Sequence, residues 1–582
     1  MTVRVPAAPA LWSRAADAAS TVAAVHHFEG VVSQAALDSS AGRGWATPLT
    51  LAAVVVASLT AVRLVVLFAA PLELYPDEAQ YWAWSRDLAF GYVSKPPVVA
   101  WLIHLTTAIG GDAEPWVRLS APLLHAGAAM ALQRAGARLY DGWTGFWAAA
   151  IYSLMPGVQL SAGVIATDAP LLFFLSLALW AYAGFIQAPS GRPRLGWAGA
   201  LGAALGLALL SKYAAAYFAA GLILHAVADA RARASWGRGE ALAAIGACLL
   251  FLAPNLAWNA GHGFATLEHL LANTDWLPDP DEGAQAPPLL SLDLRQTPGF
   301  LASQLVVFGP IPFVVLAAGA VVLARRRRLQ PADRLLLAFV LPPLVVVTVQ
   351  AVLARANANW AGAAYAPGAV LVAAWLVRWR ARGWLGATVA LQGLAAGLFL
   401  AAAVWPALAD RIGLANSFKR VRGWDASTRA VLARAQAETQ GKAGLTAIAV
   451  DDRFLFNAMA YYGRAYFAGP EAAPLTMWMR RPTANTQAER EAPLTRALGG
   501  RVLAASLDDV YLDEMRGDFR RAGAPAVAVI PLDAARRRRI SMFIGETLAP
   551  APRDRRTGLP VRLGAGLAAP GLASNVPAAT DR

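Results

Sequence analysis

The sequence is short of charge and almost empty of cysteine. Charged residues occupy 15% of its 582 positions and hydrophobic residues 57%, whereas an ordinary soluble domain is about 25% charged. That balance excludes a soluble globular enzyme, and also a disordered chain, which needs low hydrophobicity and high charge. The single cysteine, Cys248, lies inside an apolar run, so a disulfide framework and a cysteine-based zinc site are excluded. Acidic residues are few: 37 against 51 basic ones, for a formal net charge of +14 and a pI near 10.3. A nucleic-acid binder would gather that charge on a polar face. Here the arginines stand between long apolar runs, as in a polytopic membrane protein, and no nucleic-acid partner is expected.

A membrane span needs about 20 mostly apolar residues. Runs of that kind lie near 49–71, 117–138, 143–160, 169–187, 196–211, 213–229, 240–257, 299–323, 334–353, 361–379 and 384–406, which predicts eleven spans. The fifth and sixth meet at Ser211-Lys212-Tyr213 and predict a tight helical pair. The apolar stretch 97–109 is too short to cross and predicts a half-buried interfacial helix.

Lys and Arg in the short loops set orientation. One set of loops carries Arg134, Arg138, Arg192, Arg194, Arg231, Arg233, Arg238, Arg325 to Arg328, Arg378, Arg380 and Arg382. The opposite set holds only Arg86, Lys95, Lys212, Arg295 and Arg355. This asymmetry predicts a cytoplasmic N-terminus, with the loop after the first span and everything beyond 406 outside. The chain then divides into an Ala-rich cytoplasmic arm over 1–47 with no signal-peptide core, a membrane domain over 48–406, a small α/β domain over 407–550 and a loose tail over 551–582. The β-like runs of the α/β domain are Thr446–Val450, Arg501–Ser506, Ala526–Ile530 and Ile540–Ile544.

The outer loops collect the unusual side chains. The first reads Pro76-Asp77-Glu78-Ala79-Gln80-Tyr81-Trp82, then Ser94-Lys95-Pro96-Pro97. Adjacent carboxylates cannot share a helix face, so one can face a cavity while the other binds backbone or a cation; the plainer reading is a helix cap. Lys95 stands on a stiff extended segment before two prolines, either as a site cation or as a snorkelling lysine. Asp168 opens the fourth span, where capping again competes with a site role. Lys212 and Tyr213 sit at the turn of the helical pair. Asn255, Trp258, Asn259 and His262 end the seventh span, and Arg355, Asn357, Asn359 and Trp360 end the ninth. Together these residues put acids, lysines, amides and a histidine at one membrane face. Lys and Arg hold phosphate, and a carboxylate takes the proton of an attacking hydroxyl. A phosphate leaving group needs charge stabilisation more than protonation, so one base and a cation clamp suffice.

Taken in order, Asp77-Glu78-Ala79 with Tyr81-Trp82, Lys95-Pro96-Pro97, Thr167-Asp168-Ala169, Leu210-Ser211-Lys212-Tyr213, Trp258-Asn259 and Asn359-Trp360 give the chain a clear resemblance. Over roughly 50–405 it resembles the GT-C membrane glycosyltransferases of the protein mannosyltransferase superfamily. Within them it looks most like the bacterial branch of aminoarabinose and galacturonosyl lipid A transferases. The resemblance implies a polytopic helical fold in the bacterial inner membrane with the active site facing the periplasm, to which the strand-like runs add a small outer α/β domain. It implies transfer of a sugar, with inversion, from a polyprenyl-phosphate donor to a lipid, protein or glycan acceptor. Asp77 is implied as the catalytic carboxylate and Glu78 as the second acid. Lys95 is implied near the donor phosphate, with Asp168 lining the cavity and Tyr81, Lys212, Tyr213, Asn259, His262 and Asn359 completing the substrate site. Ser94 stands where the aminoarabinose transferases carry an acid, so no required metal and no cofactor are expected. A transporter or lipid flippase is the competing class, but it favours charges and broken helices at mid-membrane, and only Arg63, in the first span, comes close.

Overall fold

The computed structural model describes residues 47–273, 296–354, 356–440 and 444–553. The expected N-terminal arm, most of the expected tail, Arg295 and Arg355 lie outside the described residues. The membrane part is helical, in the order α1 (Pro48–Ala69), α2 (Pro76–Trp84), α3 (Val98–Gly110), α4 (Ser120–Leu139), α5 (Gly142–Leu154), α6 (Pro156–Gly163), α7 (Asp168–Gln187), α8 (Arg192–Ser211), α9 (Ala216–Ala228), α10 (Arg238–Gly261), α11 (Ala265–Asn273), α12 (Gln296–Phe308), α13 (Pro310–Arg325), α14 (Pro331–Leu353), α15 (Tyr365–Arg378) and α16 (Arg382–Val404).

Seven of these stretches are long and apolar enough to cross a membrane, or eight if the bent pair α12–α13 counts as one span. They are α1, α7, α8, α10, α14, Ala358–Arg378 and α16. Large apolar side chains on α10, such as Leu242, Ile245 and Leu250, are exposed, as a lipid-facing surface requires. The other predicted spans are modified. The run 117–138 forms the 20-residue α4, outside that apolar set. The run 143–160 breaks at Pro156 into α5 and α6. The run 213–229 becomes a 3-10 turn, Tyr213–Ala215, followed by the 13-residue α9. The run 299–323 is two helices bent by 114°. The break has a local cause: Gly309 holds φ of 100°, which only glycine adopts cheaply, and Pro310 then opens a new helix. The short apolar stretch forms α3, 13 residues long, too short to span.

Arg63 is buried within α1. Its guanidinium donates to Gln159 Oε1 at 3.1 Å and to the Ser153 carbonyl at 2.5 Å, so it is satisfied inside the bundle.

Beyond the membrane helices, α17 (Trp424–Thr439) leads into a sheet of β1 (Ala447–Val450), β2 (Leu475–Met477), β3 (Arg501–Ser506), β4 (Phe519–Ala522), β5 (Ala526–Pro531) and β6 (Arg537–Leu548). Between strands lie α18 (Arg453–Tyr462), α19 (Gln487–Glu491) and α20 (Asp509–Gly517). The order is β2-β1-β3-β6-β4, with β1 parallel to β2 and β3. The long β6 runs antiparallel to β3, and on its other edge β4 and β5 follow one another. One face of the sheet buries Ile448, Val450, Leu503 and Met542 against α17 and α18, and the other buries Ala449, Val502 and Phe543 against α20. Two strands, β2 and β4, carry no signal in the sequence: one is three residues long and the other reads Phe-Arg-Arg-Ala.

Candidate active site

The chain leaves α1, turns, and enters α2 at Tyr75-Pro76. Pro76 takes the first helical position and Glu78 the third, where its Oε2 accepts the Tyr75 N–H at 2.8 Å. This fixes the directions of the adjacent acids. Glu78 turns inward and is fully buried. Its carboxylate accepts three bonds from the Arg118 guanidinium, at 2.7 to 3.1 Å, and one from the Ile165 N–H at 2.8 Å. Arg118 also donates to the carbonyls of Leu72 and Glu73. With no exposed surface and both oxygens bonded, Glu78 ties the first outer loop to the segment before α7.

Asp77 points the other way. Its side chain is 38% exposed and its carboxylate lies 3.6 Å from Arg453 Nη1, which also donates to Gln80 Oε1 at 2.9 Å. Arg453 begins α18 of the outer domain, whose N-terminus is capped by Asp452. The outer domain thus lays one cation beside the acid of the membrane domain.

Asp168 begins α7, but it does not act as the cap: Thr167 holds that position. Asp168 Oδ1 instead accepts from Lys212 Nζ at 2.9 Å and Oδ2 from Asn359 Nδ2 at 3.3 Å. Lys95 stands in the same electrostatic field. Burial lowers its ammonium to about 8, Lys212 and Arg453 push it the same way, and Asp77 and Asp168 oppose them. The Tyr81 hydroxyl is raised well above its ordinary value by burial first and then by Asp77 and Asp168. His269, on α11, is lowered to about 4 by burial and by Lys95 and Arg453. Asp168, Lys212 and Asn359 are therefore in direct contact, as are Asp77, Gln80 and Arg453, and Lys95 and Tyr81 feel the charges of both groups; Gln80, His269 and Arg453 were missed by sequence reasoning.

The remaining expected residues are placed differently. The Tyr213 hydroxyl donates to Asn255 Oδ1 at 2.8 Å and accepts from Asn259 Nδ2 at 3.1 Å, while Asn255 Nδ2 donates to the Phe90 carbonyl at 2.6 Å. Tyr213 and Asn259 thus support the loop that carries Lys95. Thr266 holds the next turn through the Tyr92 carbonyl at 2.8 Å, and Gln487 of the outer domain accepts the Val93 N–H at 3.0 Å. His262 is a correction: it is exposed, stacks on Trp258 with ring centroids 4.0 Å apart, and bonds the Trp258 carbonyl. It belongs to the outside of the α10 terminus rather than to the cluster. Among the described residues, no three His, Cys, Asp or Glu side chains are grouped to hold a metal ion.

A helical membrane domain, a cluster of two carboxylates, Asp77 and Asp168, with several cations, and an α/β domain whose Arg453 and Gln487 reach that region make up the arrangement of a GT-C glycosyltransferase. Residues 94–258 match the family described as dolichyl-phosphate-mannose-protein mannosyltransferase. The chain is 33% identical over 415 residues to the lipid A galacturonosyltransferase RgtD of Rhizobium johnstonii, covering 70% of this chain and 81% of that one. Its fold is similar to that of ArnT from Cupriavidus metallidurans, with TM-scores of 0.55 for the apo form and 0.57 for the form bound to undecaprenyl phosphate. Each match has 16% identity and covers 84% of this chain and 97% of that one. The chain belongs to the protein mannosyltransferase superfamily of membrane glycosyltransferases, in the branch that holds the bacterial lipid A transferases, and it is a multi-pass membrane enzyme.

Proposed function

We propose that the chain transfers a sugar, with inversion, from a polyprenyl-phosphate donor to a lipid A-type acceptor at the periplasmic face of the inner membrane. One observation carries this reading: a partly exposed carboxylate, Asp77, shares a locus with Lys95 and with a Lys212 oriented by Asp168. Asp77 accepts the proton of the acceptor hydroxyl as that oxygen attacks the anomeric carbon. The bond from that carbon to the donor phosphate breaks, and the electron pair leaves with the phosphate. Lys95 and Lys212 neutralise the departing charge. A single base on the attacking side gives one displacement, hence inversion. The acceptor class is supported by the identity to the rhizobial lipid A transferase, and the lipid carrier by the fold shared with an enzyme that binds undecaprenyl phosphate.

The test is turnover of polyprenyl-phosphate galacturonic acid with lipid A by detergent-solubilised protein. Asp77→Asn keeps the size and capping ability of the side chain but cannot accept the proton. General-base assistance is worth about 10²–10⁴-fold, so turnover should fall by at least that order with unchanged thermal stability. Near-normal turnover in Asp77→Asn would refute the assignment.

A further inference from the structure

The outer domain contains a second polar cavity that the mechanism above does not use. It measures about 120 Å³ and is lined by Asp451, Trp478, Arg480, Arg481, Asn485, Glu489 and Tyr511. A single water needs about 10–15 Å³ of such space, so the cavity takes a ring-sized group rather than one ion.

Its position in the sheet follows from the topology. After β1 the chain runs through α18 to β2 on one side, and after β3 it runs through α20 toward β4 on the other. The carboxyl ends of the adjacent parallel strands β1 and β3 are therefore a point where connections diverge, the place where open α/β sheets bind ligands. Asp451 directly follows β1 and accepts from the hydroxyl of Ser506, the last residue of β3, at 2.8 Å. Its second oxygen, Oδ1, is buried and has no hydrogen-bond partner. Burial lifts the Asp451 carboxyl to about 7, the state of an acid set apart from solvent. Arg480 is held rigidly by Glu514, at 2.9 Å and 3.0 Å, and lies over the Tyr511 ring at 4.8 Å. Glu489 Oε2 accepts from the N–H groups of Asn485 and Thr486.

Neighbours in sequence of the lining residues reach the Asp77 cluster and the Lys95 loop. Arg453, two residues past Asp451, is the cation beside Asp77. Gln487, between Asn485 and Glu489, holds the Val93 N–H on the Lys95 loop. The two polar centres share both of these connections.

We infer that this cavity is a subsite for an anionic saccharide, the sugar head of the acceptor, with Asp451 and Asn485 taking ring hydroxyls, Arg480 and Arg481 taking a phosphate or carboxylate, and Tyr511 and Trp478 forming the walls. The chemistry follows from the lining. Guanidiniums select a tetrahedral or planar anion, a buried carboxylate oxygen selects a hydroxyl, and aromatic walls suit a ring. The saccharide site stands on the cavity alone; its assignment to the acceptor rests on the glycosyltransferase reading above.

Calorimetric titration of the full chain in detergent tests it, with saturating undecaprenyl phosphate present to occupy the donor site. The probes are glucose 1-phosphate, glucose and inorganic phosphate. Glucose 1-phosphate should bind at least tenfold more tightly than either of the others. Asp451→Asn and Arg481→Gln should each weaken it at least tenfold, and Asn485→Trp, at an exposed position where folding is not at stake, should fill the mouth and remove binding. No binding of glucose 1-phosphate, equal binding of phosphate alone, or unchanged affinity in Asn485→Trp would overturn the saccharide site. In transfer assays the same variants should raise the KM for lipid A at least fivefold and leave the donor KM unchanged; a rise in donor KM alone overturns the acceptor assignment. Asp77→Asn should keep glucose 1-phosphate binding while losing transfer, which separates failure of the cavity from failure of the catalytic reading.

Discussion

At the scale of single residues, the two adjacent acids show how much the sequence reveals. Their spacing establishes that they diverge, but not which one faces the site. That choice is made by Arg118, 40 positions away, and by the Ile165 N–H, 87 positions away, neither of which leaves a local signal. Arg453 is more remote still, 373 positions from Gln80. By contrast Asp77, Lys95, Asp168, Lys212 and Asn359 were legible, because each is a polar residue stranded beside an apolar run. His262 had the same appearance, but it is exposed, stacked on Trp258 and bonded to the Trp258 carbonyl. Two predictions belong here. Glu78→Gln leaves the Arg118 charge buried without its partner, and breaking such a pair costs about 3–5 kcal/mol. A large fall in the thermal unfolding midpoint in detergent is therefore expected, with lost activity following lost fold; full stability with lost turnover would return Glu78 to the chemistry. Lys95 must be charged to hold phosphate, and its free-enzyme value is lowered to about 8 by burial and neighbouring cations. It is protonated below that value and neutral above it, so donor kcat/KM should fall as pH rises through about 8. A pH profile checks this, and Lys95→Arg, which stays charged, should abolish the alkaline limb.

At the scale of elements, the runs 240–257 and 334–353 were read well although prolines lie inside their helices, whereas two other runs were joined across a break. Met155-Pro156 and Gly309-Pro310 are breaks that the sequence does display, because proline lacks an N–H and clashes with the preceding turn. Hydropathy alone smooths over them, and so joins pairs of helices into single spans. The strands of the outer domain follow the same logic: β1, β3, β5 and β6 are apolar enough to register, whereas β2 and β4 exist only because their neighbours pair with them. The loop carrying Lys95 is an element without regular structure, and its shape is imposed from outside. Gly91 sits against α10 so tightly that a β-carbon would lie 2.4 Å from the Trp258 ring and 3.0 Å from Asn255 Nδ2. Tyr92 stacks on Trp84 with centroids 4.6 Å apart. Gly91→Ala should force the loop off α10, at about 1–3 kcal/mol for overpacking. Because Lys95 rides on that loop, donor KM should rise while Asp77-dependent chemistry, measured as kcat at saturating donor, changes less. Unaltered donor KM in Gly91→Ala would show that the loop does not position Lys95.

At the scale of the whole molecule, the same helices have one end at the site and the other at the arginine-rich loops. Helix α7 begins at Asp168, bonded to Lys212 and Asn359, and ends at Gln187, which donates to the Arg138 carbonyl at 2.8 Å. The stretch Ala358–Arg378 begins beside Asn359 and ends with Arg378, whose guanidinium meets Asp333 at 2.8 Å, where the Tyr140 hydroxyl also donates at 2.7 Å. Each of these stretches is about 20 residues, which at 1.5 Å per residue is about 30 Å, the thickness of the hydrocarbon core. The cluster and the arginine loops therefore lie at opposite ends of these helices, and the positive-inside rule predicts a cytoplasmic arginine face. The outer domain, whose Arg453 and Gln487 reach Asp77 and the Lys95 loop, is predicted on the opposite face with the cluster. Its own run Arg536 to Arg539 does not compete, since long translocated domains escape the charge rule. Reporter fusions test the whole arrangement at once. A fusion at Gly191 or Gln330 should be active only with a cytoplasmic reporter, and a fusion after Trp424 only with a periplasmic one. A cytoplasmic signal after Trp424 would invert the molecule and place the site where the carrier-linked sugar is made rather than where it is used, removing the proposed periplasmic transfer while leaving the geometry of the Asp77 cluster intact.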